Sequence, residues 1–169
     1  MNFNFKNKKI LITGSSGGIG SSLSKKFISL NASLIFTSSS HEKIKNLQNI
    51  YGNDHSYHLL DLSDLSNLND SVLEIASTNK DIDIVINNAG TTSDNLFLRM
   101  KPSQWNEVIN VNLTSNFYIL KGILPNMIKN KKGSIIGISS VVASTGNPGQ
   151  VNYTASKAGM IAMYKSLAL

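Results

Sequence analysis

At 169 residues and 41% apolar content the chain has enough material for one domain with its own core. Its net charge of +6 comes from dispersed lysines and a single arginine, Arg99, so the clustered basic and aromatic stripe of a nucleic-acid binder is missing. The chain has no cysteine, which excludes disulfides and thiolate metal sites.

Other classes fall away as well. The longest apolar runs, "IDIVI" and "SIIGI", are too short to span a membrane. The opening stretch, "MNFNFKNKKILIT", shows neither the apolar run nor the small-residue cleavage site of a signal peptide, so a cytoplasmic location is expected. His41, His55 and His58 show no ligand spacing, and no metal is expected. The charge reads either as solvated lysines or as a basic surface for an acidic partner.

In chain order, strand and helix signals alternate. A short apolar run at 8–13 leads into the glycine-rich turn "GSSGGIG", followed by a helix with Ile19, Leu23 and Phe27 on one face. A second strand is expected at 33–37, a helix at 41–51 and a weaker strand at 55–60. Asp64 is placed to cap a polar-rich helix. The β-branched run at 82–87 is a fourth strand, ending in "NAG", and the loop "TTSDNLFLRMK" follows. Pro102 and Ser103 open the longest helix, running to about Asn130. Its apolar stripe is Trp105, Val108, Ile109, Leu113, Phe117, Leu120 and Leu124, with Asn112 and Asn116 on or beside it. Polar groups there need hydrogen-bond partners. A fifth strand at 133–139 and a last helix from 151 complete the series.

This βαβα alternation predicts an α/β, doubly wound parallel sheet in the order 3-2-1-4-5, with ligands at the carboxyl ends of its strands. The last helix still carries its pattern at "SLAL", and the fifth strand would be an uncovered apolar edge. The chain therefore reads as one Rossmann-like domain, residues 1–169, truncated before further strands; the alternative is a natural, frayed terminus.

The turn "TGSSGGIG" carries the first chemistry. Gly14 permits the tight turn, Gly18 lets the backbone approach a pyrophosphate, and Gly20 lets the helix pack on the strand. The second strand ends Thr37, Ser38, Ser39, Ser40. No acid stands there to bond the ribose hydroxyls of NAD, so NADP fits better than NAD. The hydroxyls of Ser38 and Ser39 and the charge of Lys43 would hold the 2′-phosphate. Asp61, ending the third strand, is either an adenine-amino acceptor or a turn residue.

Tyr153 and Lys157 are spaced i, i+4, on one helix face, and Ser140 follows the fifth strand. An ammonium beside a phenol favours the phenolate. Such a tyrosine can give a proton to a carbonyl oxygen, or take it back in reverse. Taken alone, the pair is more often structural; the glycine turn, the element order and Ser140 together favour chemistry.

These motifs resemble those of the short-chain dehydrogenase/reductase family: "TGSSGGIG", "NNAG", Asn112 in "NVNL", Ser140 in "SSVV" and "YTASK" occur in its order and spacing. Within the family the chain is most similar to the 3-oxoacyl-acyl-carrier-protein reductases of fatty-acid synthesis, through "NNAGTTSDNLFLRMK" and "GISSVVASTGNPGQVNYTASKAGM". The resemblance implies Tyr153 as general acid. It implies Lys157 as the cation that eases its ionisation and bonds the nicotinamide ribose, Ser140 as the carbonyl-orienting hydroxyl, and Asn112 as the anchor of a proton-relay water. The cofactor residues it implies are Gly14, Ser16, Gly18, Ile19, Gly20, Thr37, Ser38, Asp61, Leu62, Asn88, Ala89 and Gly90, with Tyr153 and Lys157. It further implies NADPH, a 3-oxoacyl substrate linked to an acidic carrier protein, a homotetramer, and docking near Arg99 and Lys101. Gly17 departs from the pattern, since these reductases often carry an arginine there. The alternatives are a related reductase for acetoacetyl-CoA, a sugar or another secondary alcohol, and a truncated, non-catalytic dinucleotide-binding protein. The 169-residue piece by itself is expected to show weak or no turnover and to aggregate through its fifth strand.

Overall fold

The computed structural model describes residues 3–169; the first two residues of the opening stretch lie outside it. Five parallel strands, β1 (Lys9–Ile12), β2 (Ser33–Ser38), β3 (Ser56–Leu59), β4 (Ile84–Asn87) and β5 (Ser134–Gly137), form one sheet in the order β3-β2-β1-β4-β5. The predicted strand order is the observed one. The pairing register, with Leu11 beside Ile35 and Val85, sets which side chains face which layer.

Because side chains alternate along a strand, the central strands are apolar on both faces. Leu11, Ile35 and Val85 point to one side. There α3 (Leu65–Thr78) and α5 (Ser115–Lys129) cover them with Leu68, Val72, Ile75, Ile119, Ile123 and Met127. Ile10, Ile12, Leu34, Phe36 and Ile86 point to the other side, under α1 (Gly18–Ser29) and α2 (His41–Tyr51). Each of these large side chains contributes about 1.5–3 kcal/mol on full burial. Local signals set the helix starts. Ser40 accepts from Lys43 N to cap α2, and Asp64 accepts from Ser66 N to cap α3. Pro102 opens α4 (Pro102–Ile109), where the Gln104 side chain accepts from Lys101 N at 3.0 Å. No helix among the described residues is long and apolar enough to cross a membrane.

Three sequence expectations are corrected. The long helix is not regular: Asn110–Thr114 between α4 and α5 form a π-turn, with Ser115 N reaching back to Asn110 O. The widened turn changes the phase of the stripe beyond it, so Asn112, Asn116, Ile119, Ile123 and Met127 are buried while Phe117 is exposed; Trp105, ahead of the turn, is exposed as well. Ile19 does not join Leu23 and Phe27 against the sheet; it is 59% exposed, beyond the end of β1. A short helix, α6 (Val142–Thr145), precedes α7 (Val151–Leu167) where a plain loop is expected. β5 lies at the sheet edge with β4 as its only strand partner among the described residues, and Ile136 is 43% exposed.

Lysines scattered in the sequence meet at the end of the sheet opposite the glycine turn. Asp83 accepts from Lys9 N at 3.0 Å, Lys132 Nζ at 3.0 Å and Lys8 Nζ at 3.2 Å. Burial pushes the Asp83 carboxyl up, but these donors outweigh it and hold it below its usual value. Near β3, burial pushes both His55 and His58 below their usual value. His55 Nδ1 accepts from Leu34 N, so its ring is neutral in the fold.

The signs of these shifts separate in pH. A histidine lowered in the fold contributes stability above its unfolded value near 6.5, and loses it as pH falls toward the folded value. Asp83 keeps its contribution until pH falls below its unfolded value of 3.8 toward the folded one. Urea unfolding at pH 7.5 and 5 is therefore expected to show a lower midpoint at pH 5. His55→Gln with His58→Gln should flatten that difference, whereas Asp83→Asn should lower both midpoints, corresponding to a loss of about 1–3 kcal/mol in unfolding free energy at each pH.

Candidate active site

The turn after β1 creates an opening at the carboxyl edge of the sheet. Gly14 has φ +63, the left-handed region that favours glycine, and a methyl group on it would lie 2.9 Å from Ala89 Cα. A methyl group on Gly20 would collide with the Gly14 carbonyl, so α1 can start this close to β1 only without a side chain there. Asn88 locks the turn from across the sheet, its Nδ2 donating to Thr13 O at 3.0 Å and Gly14 O at 3.1 Å.

The resulting cleft, of about 680 Å³, draws on the carboxyl ends of β1, β2, β3 and β4. Gly14, Ser16, Gly17, Gly18 and Ile19 come from the turn, and Thr37, Ser38 and Ser39 from the tip of β2. Lys43 reaches it from α2, and Leu60, Asp61 and Leu62 follow β3. Asn88, Ala89 and Gly90 follow β4. Asp61 lines the cleft, and its Oδ1 accepts from Ser63 N at 2.9 Å in a turn. Gly20 supports the turn from behind and does not line the opening. A glycine cradle at a helix start, in a cleft this long, fits an extended anionic group such as a dinucleotide.

A second cleft, of about 450 Å³, shares Ile19, Asn88 and Gly90 with the first and adds Thr91, Thr92, Ile138, Ser139, Tyr153 and Lys157. Helix α7 is fastened on both sides of Tyr153. Asn152 Nδ2 donates to Ser93 O and Gln104 O at 3.0 and 3.1 Å, and Ser156 Oγ donates to Tyr153 O at 2.7 Å. Lys157 is 3% exposed and has no carboxylate partner among the described residues. Its Nζ donates to Ile138 O at 2.8 Å and lies 5.7 Å from the centre of the Tyr153 ring. Burial pushes the Lys157 ammonium below its usual value.

Asn112 stands behind this cleft rather than in its wall. Its Oδ1 accepts from Thr91 N at 2.8 Å, and its Nδ2 donates to Thr91 O at 2.9 Å and Ser156 Oγ at 3.1 Å. A methyl group on Gly90 would sit 3.3 Å from Asn112 Oδ1 and 3.4 Å from Lys157 Nζ, so both groups converge on that residue. Ser140 lies one residue past Ser139, outside both linings, with its carbonyl accepting from Ala143 N at 3.1 Å. Sequence reasoning passed over Thr91, Thr92, Ser139, Asn152 and Ser156. Asn152 adjoins "YTASK" and Ser156 lies inside it, but nothing in their spacing announces their bonds.

The chain matches the short chain dehydrogenase family over residues 8–169 and belongs to it, which makes it an oxidoreductase by class. It is 41% identical over 167 residues to a 3-oxoacyl-acyl-carrier-protein reductase of Buchnera aphidicola from Acyrthosiphon pisum, covering 98% of this chain and 68% of that protein. It is 43% identical over 173 residues to the reductase of the same name from Aquifex aeolicus, covering 99% and 69%. The chain thus spans about two thirds of the length of the relatives it matches. A solved structure described as a short chain dehydrogenase/reductase family protein superimposes with a TM-score of 0.89 at 23% identity, over 98% of this chain and 69% of that one, a likeness of fold.

Proposed function

We propose that the full-length protein is an NADPH-dependent reductase of 3-oxoacyl thioesters carried on acyl-carrier protein, with residues 1–169 as its cofactor-binding domain. The observation that carries this is the buried Lys157 beside Tyr153, in a cleft continuous with the glycine cradle. The names of the relatives supply the substrate class.

NADPH, when bound, supplies a hydride to the substrate's 3-carbonyl carbon. The residues of the chain do the rest. Tyr153 gives its phenolic proton to the carbonyl oxygen, which becomes the new hydroxyl. Lys157, a cation held in a dry site, stabilises the phenolate left behind. Ser140, three residues past the end of β5, donates a hydrogen bond to the same oxygen. Asn112 holds Thr91 and Ser156, and through them the two sides of the cleft, at fixed spacing. Arg99 and Lys101 stand on the loop that continues from Thr91 and Thr92, and offer positive charge to an acidic carrier.

Lys43 is the one cation lining the first cleft among the described residues, beside Ser38 and Ser39, with Gly17 leaving space where a larger side chain would stand. Lys43→Ser is therefore expected to weaken NADPH binding about tenfold while changing NADH binding less than twofold, as read by fluorescence titration. Equal losses for both cofactors would contradict the 2′-phosphate role. The activity itself is tested by comparing kcat/KM for a 3-oxoacyl carrier thioester, acetoacetyl-CoA, a keto sugar and a simple ketone. A preference for the sugar or the ketone would overturn the proposed substrate class.

A further inference from the structure

Tyr164 is a partly buried phenol on α7 that the catalytic set leaves unused. It lines neither cleft. Its ring packs over Gly137 of β5, where a methyl group would collide with it. Burial pushes the phenol above its usual value, so it stays protonated.

Its single proton goes to Asn116 Oδ1 at 3.3 Å, and its oxygen accepts from Asn87 Nδ2 at 2.6 Å. With its oxygen engaged, Asn116 turns its amide to the Asn112 carbonyl, and Nδ2 donates there at 2.6 Å. Asn87, Asn116 and Asn112 are all at most 2% exposed. A one-directional chain of hydrogen bonds therefore runs from the end of β4, through α7 and α5, into the π-turn. Its last member, Asn112, grips Thr91 and Ser156 and meets Lys157 across Gly90.

An isolated π-turn is a rare geometry that needs local support. Removing the phenolic hydroxyl would leave Asn116 Oδ1 buried without a donor, and Asn87 Nδ2 without an acceptor. Asn116 could then rotate away from the Asn112 carbonyl.

We propose that Tyr164 is a positioning residue: through Asn116 it fixes the π-turn, and thereby holds Asn112 against Thr91 and Lys157 in the geometry the cleft needs. The kinetic half of this inference rests on Tyr153 and Lys157 being catalytic; the structural half does not.

The test uses Tyr164→Phe and Asn116→Ala in the full-length protein, with two readouts. In hydrogen exchange, both variants should speed exchange of segments containing Thr91 and residues 110–116 by roughly tenfold, leaving β1 and β2 unchanged. In steady-state kinetics, kcat should fall about five- to tenfold with KM for substrate and NADPH within about twofold. The double variant should be no slower than the slower single one, because both break the same chain. Unchanged exchange at Thr91 and the π-turn in a folded variant would overturn the proposal. So would unchanged kcat, or a loss confined to melting temperature, which would make Tyr164 a packing residue only. A wild-type protein with no turnover would instead count against the proposed activity, and exchange alone would then decide the hydrogen-bond chain. Should Tyr164→Phe fail to fold, Asn116→Ala reads the same link from its other side.

Discussion

Replacing Tyr153 by Phe in the full-length protein is expected to lower kcat by about 10²–10⁴-fold, the usual contribution of a positioned general acid. NADPH binding should stay within about twofold of wild type, because the cradle around Gly14 and Asn88 does not depend on the phenol. Stability should barely change. Tyr153 is only partly buried, its backbone N–H is held by Asn152, and its carbonyl is held by Ser156. Phe preserves the ring beside Lys157 and removes only the hydroxyl group. A paired measurement of kcat and the NADPH dissociation constant reads the split. Turnover near the wild-type rate would remove Tyr153 from the mechanism.

Lys157→Met is expected to separate activity from stability more sharply. The ammonium sits in a dry position with one carbonyl acceptor, Ile138 O, and no carboxylate near it among the described residues. Its ordinary value is 10.5, and burial lowers it in the fold. Between the folded and unfolded values the unfolded chain holds the extra proton, so stability rises with pH across that window. Below it the buried charge costs stability throughout. Met fills a similar volume without the charge, so the variant should melt at the same temperature as wild type or higher near neutral pH. That gap should close as pH approaches 10.5. Turnover should fall by about 10²-fold or more, since the phenolate loses its cation. Thermal melts across pH, alongside kcat, check both halves. A lower melting temperature at neutral pH would show that the ammonium stabilises the fold.

The sheet was readable because its signals are local. Short β-branched runs such as 82–87, separated by helical periodicity, leave little choice but a parallel sheet covered on both faces, and strand order follows from the connection rules. Asp64 and Ser40 act at the helix starts through residues beside them in sequence. The glycine turn was readable for the same reason: Gly14 and Gly20 are needed by backbone contacts a few residues apart. The π-turn at Asn110–Thr114 was not. Its cause lies in bonds from Asn112 to Thr91 and Ser156, and from Tyr164 to Asn116, all distant in sequence. A stripe counted at the α-helical period across that turn therefore puts Phe117 inside, where the structure has it exposed. Ile19 misled in a related way, since an apolar residue at the right spacing belongs to the mouth of the cleft rather than to the core. The clustering of Lys8, Lys9 and Lys132 with Asp81 and Asp83 likewise needs the strands brought side by side before it exists.

In the proposed reaction the two clefts together place a dinucleotide and a carbonyl so that Tyr153 completes a reduction. The most direct measurement gives the full-length protein NADPH carrying deuterium at one face of C4, together with a 3-oxobutyryl carrier thioester, and analyses the product by mass spectrometry. The account predicts a 3-hydroxybutyryl thioester with one deuterium on C3, from one of the two C4-labelled forms of NADPH and not the other. No labelled product from either form, with the protein folded and NADPH bound, would contradict it.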